Sequence, residues 1–301
     1  MPMNRSANRS LRTAVLTSLL LLLSTACGEA AKGVQEGPAY PTKKQHALLW
    51  QAQSILVGKC MRERGYFYEV DNGKSLPARD GFPFGIESVA WAEKYGFTDP
   101  GTVQEGRART GNPNQRYYET LTKEKQARYM AALYGGRRDL VSVELDNGAV
   151  VSASRRGCSA AAERELYGDF SRWFTHSTVA SQLKSSALSA AMKDSAYVRA
   201  THAWARCVAG LGHEADSPQQ LRQSFEERRS AMTKEDSVRM ERTLAVAEAT
   251  CVRQTELART GKKLHEVHLK RVEKKKQALF HTYRSMWNGA LKKSQKIIPG
   301  E

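Results

Sequence analysis

Two short stretches hold residue types at spacings that catalysis or metal binding could use. Ser181 and Lys184 form S-x-x-K, in which a lysine amine can take the proton of a serine nucleophile. The run H-E-V-H from His265 to His268 offers two imidazoles and a carboxylate, which are donor types that Zn²⁺ accepts. Each stretch has to be weighed against the surrounding sequence before it indicates a site.

Neither stretch has the neighbours that its chemistry needs. The S-x-x-K of penicillin-recognising serine enzymes is accompanied by S-D-N and K-T-G. Here S-D-N is missing, and Arg259-Thr260-Gly261 has an arginine in place of the lysine. The histidines stand three apart rather than four as in H-E-x-x-H, and no third ligand is apparent. We therefore expect no catalytic residue, no metal and no other cofactor, although a hydrolytic carboxylate site would carry no motif.

The N-terminal stretch indicates export. Arg5, Arg9 and Arg12 precede an apolar run from residue 13 to 26, and small residues lead into Cys27. About fourteen residues span roughly 21 Å as a helix, which is shorter than the ~30 Å hydrocarbon core of a bilayer. We predict that residues 1–26 are a signal peptide rather than a membrane span.

Residues 23–27, LSTAC, resemble the lipobox of bacterial lipoproteins, with Ser24 standing where leucine is usual. The resemblance implies that Cys27 becomes the first residue of the mature chain and carries fatty acyl groups such as palmitate. It also implies a place on the extracellular face of the cell membrane. Residues 27–41 are rich in Gly, Ala and Pro and predict a flexible tether.

Four further cysteines are available for disulfides, since an even number in an exported chain favours two bridges. Zinc would need closely paired ligands such as C-x2-C, and the sequence has none. Two cysteines read C-x4-G at a predicted helix end and two read C-x4-E, in the same order in each half of the chain. This echo favours an internal duplication and one bridge per half, although four cysteines allow three connectivities. The favoured pairs are Cys60 with Cys158 and Cys207 with Cys251.

The positive net charge indicates which acidic molecules the protein could bind. The whole chain carries +16, and the leader holds three arginines and no acid, which leaves +13 for the mature chain. Residues 262–301 alone carry eleven Lys or Arg and three acids, a net charge of +8. Outside the cell, anionic lipid headgroups and anionic wall polymers are the available acidic partners, and nucleic acid is not expected.

The hydrophobic pattern predicts a mainly α-helical domain with one small β-hairpin. Apolar residues three and four apart predict a helix from Thr42 to Arg64, and alternation from Leu140 to Ser154 around Asp146-Asn147-Gly148 predicts the hairpin. Capping residues predict further helix starts at Asp194, Ser217 and Thr233. We expect two degenerate halves, 42–192 and 193–261, and then one basic amphipathic helix, 262–301.

The predicted C-terminal helix has two interpretations. Its apolar residues follow a heptad seam interrupted by Lys276: Leu269, Val272, Leu279, Tyr283, Met286 and Ala290. The helix either packs on its neighbours or uses a basic face to engage anionic headgroups or a partner helix. For the second interpretation, the candidate anionic-surface residues are Lys270, Arg271, Lys274, Lys275, Lys276 and Trp287.

Three local patterns between residues 44 and 257 resemble uncharacterised secreted lipoproteins of actinobacteria. They are C-M-x3-G, G-C-x3-A and A-W-x2-C. In this sequence the residues are Cys60, Met61 and Gly65, then Gly157, Cys158 and Ala162, then Ala203, Trp204 and Cys207. The resemblance implies no activity, and residues beyond Gly261 lie outside it.

Together these features predict a lipid-anchored, non-catalytic binding or accessory protein on the outer face of the cell membrane. Its expected partners are the membrane itself and either an anionic wall polymer or a membrane protein. One alternative is a wall-directed hydrolase with an unrecognised carboxylate site. Another is an accessory subunit of a membrane complex that docks through the seam of residues 262–301.

Overall fold

A computed structural model describes residues 37–71, 82–97 and 112–298. These ranges form eleven helices and one two-stranded antiparallel sheet, which confirms the mainly helical fold with a single hairpin. The elements, in chain order, are α1 (Lys43–Glu63), α2 (Val89–Tyr95), α3 (Pro113–Thr120), α4 (Lys123–Tyr134), β1 (Leu140–Glu144), β2 (Val150–Ser154), α5 (Cys158–Tyr167), α6 (Phe170–Lys193), α7 (Ser195–Gly210), α8 (Pro218–Arg229), α9 (Lys234–Gln254), α10 (Leu257–Lys275) and α11 (Gln277–Ile297).

Helix starts follow local capping chemistry. The Thr42 hydroxyl accepts a hydrogen bond from the Gln45 amide, and the Gln45 side chain accepts one from the Thr42 amide at 2.8 Å. This capping box supplies acceptors for two amides that the first turn of α1 cannot use internally. The side chains of Asp194, Ser217 and Thr233 also accept an amide hydrogen bond at the starts of α7, α8 and α9, as their positions in the sequence predict.

The hairpin packs one face on the helices. Its register pairs Leu140 with Ser154 and Glu144 with Val150. Val141 and Val143 are buried while their neighbours along β1 are exposed, as the alternation in the sequence predicts. Val141 packs in a small cluster with Ala160 of α5 and Phe170 of α6, and these contacts support an isolated hairpin that would be marginal in water.

Two larger apolar clusters hold the helices together. The first is built mainly by α1, α4, α5, the first part of α6, and α11; its large buried side chains include Met61, Leu166, Phe280 and Trp287. The second is built by the end of α6, α7, α8, α9, the start of α10 and the segment before α2. Its large buried side chains include Phe84, Trp204, Phe225 and Leu257. Helix α6 contributes to both clusters, which joins them through one continuous element.

The packing units do not follow the predicted boundaries at residues 192 and 261. Pro38–Glu301 clusters as one compact unit. The segment 82–97, from the predicted first half, packs on α9: the amide of Ile86 donates to Glu248 Oε1 at 2.7 Å, and the amide of Phe97 donates to Glu241 Oε1 at 3.1 Å. Helix α11, from the predicted tail, packs in the first cluster.

The prediction of one final helix that starts after Gly261 is wrong. The chain turns earlier, at Glu256, whose φ is +53°, and Gly261 lies inside α10. A second break falls at Lys276, whose φ of −120° and ψ of 37° leave the helical region. Two helices therefore replace the one that the sequence suggested. None of the described helices combines the length and apolar content that a bilayer crossing requires.

Candidate functional site

The predicted disulfide pairing is confirmed. Cys60 is bonded to Cys158 with 5.6 Å between the Cα atoms, and Cys207 is bonded to Cys251 with 5.7 Å between them. The first bridge fastens the end of α1 to the start of α5, and the second fastens α7 to α9. Cys27, the predicted lipid-attachment residue, lies outside the described residues.

The internal echo holds at the first cysteine of each pair. Beyond Cys60 and Cys207 the helices end in matching conformations, with φ of 79° at Gly65 and 85° at Gly212. Such a left-handed residue costs glycine little, which accounts for the shared C-x4-G. The C-x4-E pattern has no such common basis, since Glu163 lies inside α5 whereas Glu256 is the left-handed residue before α10.

The two motif stretches both lie on helices. Ser181 and Lys184 lie on α6, and the Lys184 ammonium stands 5.4 Å from the centre of the Tyr40 ring. His265 and His268 lie on α10, and burial lowers the pKa of His265. Among the described residues, no group of three or more His, Cys, Asp or Glu could hold a metal ion.

Five basic residues surround the junction of α10 and α11, and we call them the basic turn: Lys270, Arg271, Lys274, Lys275 and Lys276. All five are exposed. Lys270 pairs with the exposed Glu266 at 2.7 Å, and Glu273 is half-buried in the same stretch. The basic turn therefore presents a net positive surface to solvent.

Trp287 is not part of this surface, contrary to the prediction. Its side chain is 2% exposed, and its indole nitrogen donates to the carbonyl oxygen of Ala39 at 3.4 Å. The seam that contains Tyr283 and Ala290 also packs in the first cluster. The apolar side of α11 is thus occupied by the protein's own core, whereas the basic turn is exposed.

A cleft that sequence patterns did not indicate lies beside the hairpin. It consists of two cavities of about 690 Å³ and about 920 Å³. Four side chains line both cavities and mark the centre of the cleft: Trp50, Gln53, Glu163 and Phe174. The first cavity extends between α1 and β2, and the second extends between α1 and α6. The combined volume is enough for a small-molecule ligand or a short stretch of a polymer.

One wall of the second cavity is a stack of aromatic rings. The Trp173 and Tyr167 rings are parallel, with centroids 3.5 Å apart, and the Tyr283 ring stacks 5.5 Å away on Trp173. Trp50, by contrast, is 38% exposed and has no aromatic partner among the described residues. An exposed indole at the centre of a cleft offers apolar area and one hydrogen-bond donor to a ligand.

The polar centre of the cleft is the pair formed by Gln53 and Glu163. Gln53 Nε2 donates to Glu163 Oε1 at 3.1 Å. Burial raises the pKa of Glu163 to about 7, because removal from water disfavours the charged form, and the hydrogen bond from Gln53 opposes that rise only in part. Near neutral pH this carboxyl can therefore either donate or accept a hydrogen bond.

The cleft residues were missed because no local signal distinguishes them. Trp50 adjoins the buried stripe of α1 without belonging to it. The one sequence pattern noted above that contains Glu163 is the C-x4-E that begins at Cys158. Gln53 and Glu163 are 110 residues apart in the chain. Only the fold brings them together.

Comparison with known proteins gives no relative. No protein-family model matches the chain, and neither a curated protein nor a solved structure matches it significantly. Functional assignment therefore rests on the residues and geometry described above.

Proposed function

We propose that this chain is a non-catalytic binding protein on the outer face of a bacterial cell membrane, tethered through lipid on Cys27 and oriented by the basic turn. The observation that supports it most is where the chain enters the compact unit. Arg284 Nε donates to the Pro38 carbonyl at 3.3 Å, and the Tyr40 ring meets the Phe280 ring edge-on at 5.7 Å. The first described residues thus lie on α11.

The basic turn is close to this point along the same helix. Lys276 precedes Phe280 by four residues and Arg284 by eight, which correspond to roughly 6 Å and roughly 12 Å of helical rise. The eleven residues 27–37 can extend at most about 37 Å. A tether attached at Cys27 would therefore hold the basic turn within reach of the headgroups.

Attachment through lipid and attachment through the basic turn reinforce each other. Each basic residue near an anionic surface contributes about 1 kcal/mol, and the contribution is lost when salt screens it. A lipid chain supplemented by a polybasic patch anchors more stably than either one alone. The arrangement would fix which side of the protein faces the membrane and which side faces outward.

Charge reversal tests the proposal better than truncation, because deletion of residues 262–301 would remove the buried Phe280 and Trp287. The test variant is Arg271→Glu/Lys274→Glu/Lys275→Glu, which spares Lys270 because of its pairing with Glu266. The matched control is Lys125→Glu/Lys292→Glu/Lys296→Glu, which makes the same change of charge at exposed sites elsewhere.

Binding is measured by co-sedimentation with vesicles that contain one third phosphatidylglycerol, using protein that lacks the acyl groups. The test variant should bind about a hundredfold more weakly at low salt, since three favourable contacts of about 1 kcal/mol are lost. The control should bind nearly as well as the unmodified chain, and high salt should abolish the difference. Equal binding by both variants would contradict the proposal.

A wall-directed hydrolase is the second candidate, and the raised pKa of Glu163 is the observation that favours it. A general acid must hold its proton near neutral pH, as a carboxyl with a pKa of about 7 does. Among the described residues that line the cleft, however, Glu163 is the one carboxylate, whereas most glycoside hydrolases use two. Release of soluble fragments from purified peptidoglycan by the unmodified chain but not by Glu163→Gln would favour the hydrolase.

A further inference from the structure

The edge of strand β2 borders the first cavity of the cleft. Ser152, Ala153 and Ser154 all line that cavity. Successive residues of a strand point to opposite faces, so three consecutive lining residues indicate that the cavity meets the strand's edge. Ala153 also packs with Val141, Ala160 and Phe170 in a buried cluster, and Ala160 and Phe170 line the same cavity.

The backbone groups on this edge alternate between the partner strand and the cleft. The amide of Leu145 donates to the carbonyl of Ala149, and the amide of Arg155 donates to the carbonyl of Asp139. In the observed register these two bonds mark the hydrogen-bonded pairs, so Val150 and Ser152 are non-bonded positions. Their N–H and C=O groups point away from β1, and no hydrogen bond to another described residue satisfies them.

Helix α1 forms the opposite side of the cleft. Lys43 lines the second cavity and Val57 lines the first, with Trp50 and Gln53 common to both. Fourteen residues of helix between Lys43 and Val57 correspond to roughly 21 Å, the length of about six residues of extended chain. A strand edge facing a helix across an open groove is an arrangement in which proteins accept an extended peptide as an added strand.

The apolar and charged residues of the groove indicate which peptide fits. Val150 is 62% exposed and Val151 is 37% exposed, an apolar edge of the kind that proteins usually protect from pairing. Arg137 lines the first cavity, and Lys43, Lys184 and His46 line the second. Glu163 is the one carboxylate that lines either cavity among the described residues. The charges of Arg137, Lys43 and Lys184 therefore favour acidic side chains.

We propose that the cleft binds an extended acidic polypeptide segment, which pairs with the free edge of β2 and places the side chains of one face of the added strand into the two cavities in turn. The peptide's backbone would satisfy the N–H and C=O groups of Val150 and Ser152. Its acidic side chains would approach Arg137, Lys43 and Lys184. This inference rests on the proposed function as a binding protein, but it does not depend on the membrane attachment.

Substitution of Ser152 isolates the role of the strand edge. Proline at this position removes the outward N–H while leaving the ladder to β1 intact, since that N–H does not take part in it. The Ser152 hydroxyl also pairs with the Ser142 hydroxyl at 2.8 Å. The matched control is Ser152→Ala, which loses that hydroxyl pair and keeps the N–H.

The experiment is a selection of random decapeptides displayed on phage against the full-length protein, followed by affinity measurement with synthetic peptides. Enriched sequences should alternate apolar and acidic residues. Ser152→Pro should weaken binding about tenfold, because one backbone hydrogen bond is lost and the edge is blocked, whereas Ser152→Ala should change it little. On the unmodified protein, peptides N-methylated at alternate residues should also lose binding, which tests the edge without relying on the variant's folding.

Three outcomes would overturn the inference. The first is that the unmodified protein enriches no peptides beyond those that Ser152→Pro enriches. The second is that N-methylated and unmethylated peptides bind with equal affinity. The third is that acidic oligosaccharides bind the cleft and Ser152→Pro does not change their affinity, since a glycan needs no strand edge. The two proposals fail separately. Ser152→Pro should keep vesicle binding, and the charge-reversal variant of the basic turn should keep peptide binding.

Discussion

Gln53 on α1 and Glu163 on α5 meet in a hydrogen bond of 3.1 Å that spans 110 residues of sequence. Both side chains line both cavities, and one of them is a carboxyl that burial holds partly protonated at neutral pH. It is therefore both a structural link and a titratable group in the middle of the proposed ligand site.

The pKa of Glu163 predicts how stability depends on pH. Because the pKa is raised from 4.5 to about 7 in the folded chain, the folded state keeps a proton that the unfolded state has released between those values. The free energy of unfolding should therefore fall as pH rises from about 4.5 to about 7, by about 1 to 3 kcal/mol, and Glu163→Gln should lose this part of the dependence.

Urea denaturation at pH 4 and pH 8 measures the effect. Glu163→Gln should be the more stable protein at pH 8 and similar to the unmodified chain near pH 4. The control is Glu165→Gln, an exposed carboxyl on the same helix, which should leave the pH profile unchanged. An identical pH profile for the unmodified chain and Glu163→Gln would contradict the assignment.

The two disulfides should differ in their contribution to stability. They close loops of 98 and 44 residues, for which chain entropy gives about 4.7 and about 4.0 kcal/mol respectively. Thermal melting in excess reductant should therefore fall well below that of the oxidised protein. Replacing Cys60 and Cys158 by alanine should cost slightly more than replacing Cys207 and Cys251. Unchanged melting in reductant would refute the prediction.

Gly261 is structurally important, but its role differs from the one that the sequence predicts. It was expected to end a helix, but it lies inside α10, where an added Cβ would come within 2.3 Å of the Phe84 ring. Gly261→Ala should therefore displace a buried aromatic side chain and destabilise the protein by about 1 to 3 kcal/mol. Calorimetry should show a lower melting temperature.

The matched change Gly289→Ala lies in α11, where no atom stands within 4 Å of the added Cβ apart from the chain neighbours and the adjacent backbone of the helix itself. There the substitution should stabilise the protein by about 0.5 to 1 kcal/mol through helix propensity alone. The same substitution in two helices should thus have opposite signs. If both variants shift the melting temperature in the same direction, the close approach of Phe84 does not limit the packing.

Glu248 is a fully buried carboxylate that holds three elements together. It accepts hydrogen bonds from Arg222 on α8 and from the amide of Ile86, while its own helix is α9. Replacing it with alanine leaves these donors unpaired, which should destabilise the protein by about 3 to 5 kcal/mol. The exposed pair of Glu226 and Arg229 provides the control, and Glu226→Ala should cost less than about 1 kcal/mol by urea denaturation.

Local chemistry explains how much of this fold could be predicted. The caps at Thr42, Asp194, Ser217 and Thr233 depend on residues within three positions, so sequence alone placed those helix starts correctly. The hairpin was equally accessible, because alternation and a turn signal are local features. The full length of helix α6 could not be predicted, since its many Ser, Thr and Ala residues give only a weak apolar stripe. The helix is long enough to contribute to both clusters.

The packing of the C-terminal helices and the geometry of the cleft depend on tertiary contacts, which sequence patterns do not predict. A heptad seam predicts an apolar face but not what covers it, and Trp287 proved to face the core at Ala39 rather than solvent. The cleft needs α1, the hairpin, α5 and α6 to converge, and none of its central residues belongs to a motif. Tertiary assembly alone defines that site.

The most direct measurement is mass spectrometry, without reduction, of the native protein extracted from its membranes. The proposed function predicts a mature chain that begins at Cys27 and carries the mass of its acyl groups, together with peptides linked through Cys60–Cys158 and Cys207–Cys251. Recovery of the protein from the cytosol, with residues 1–26 still attached and all five thiols free, would contradict the proposal.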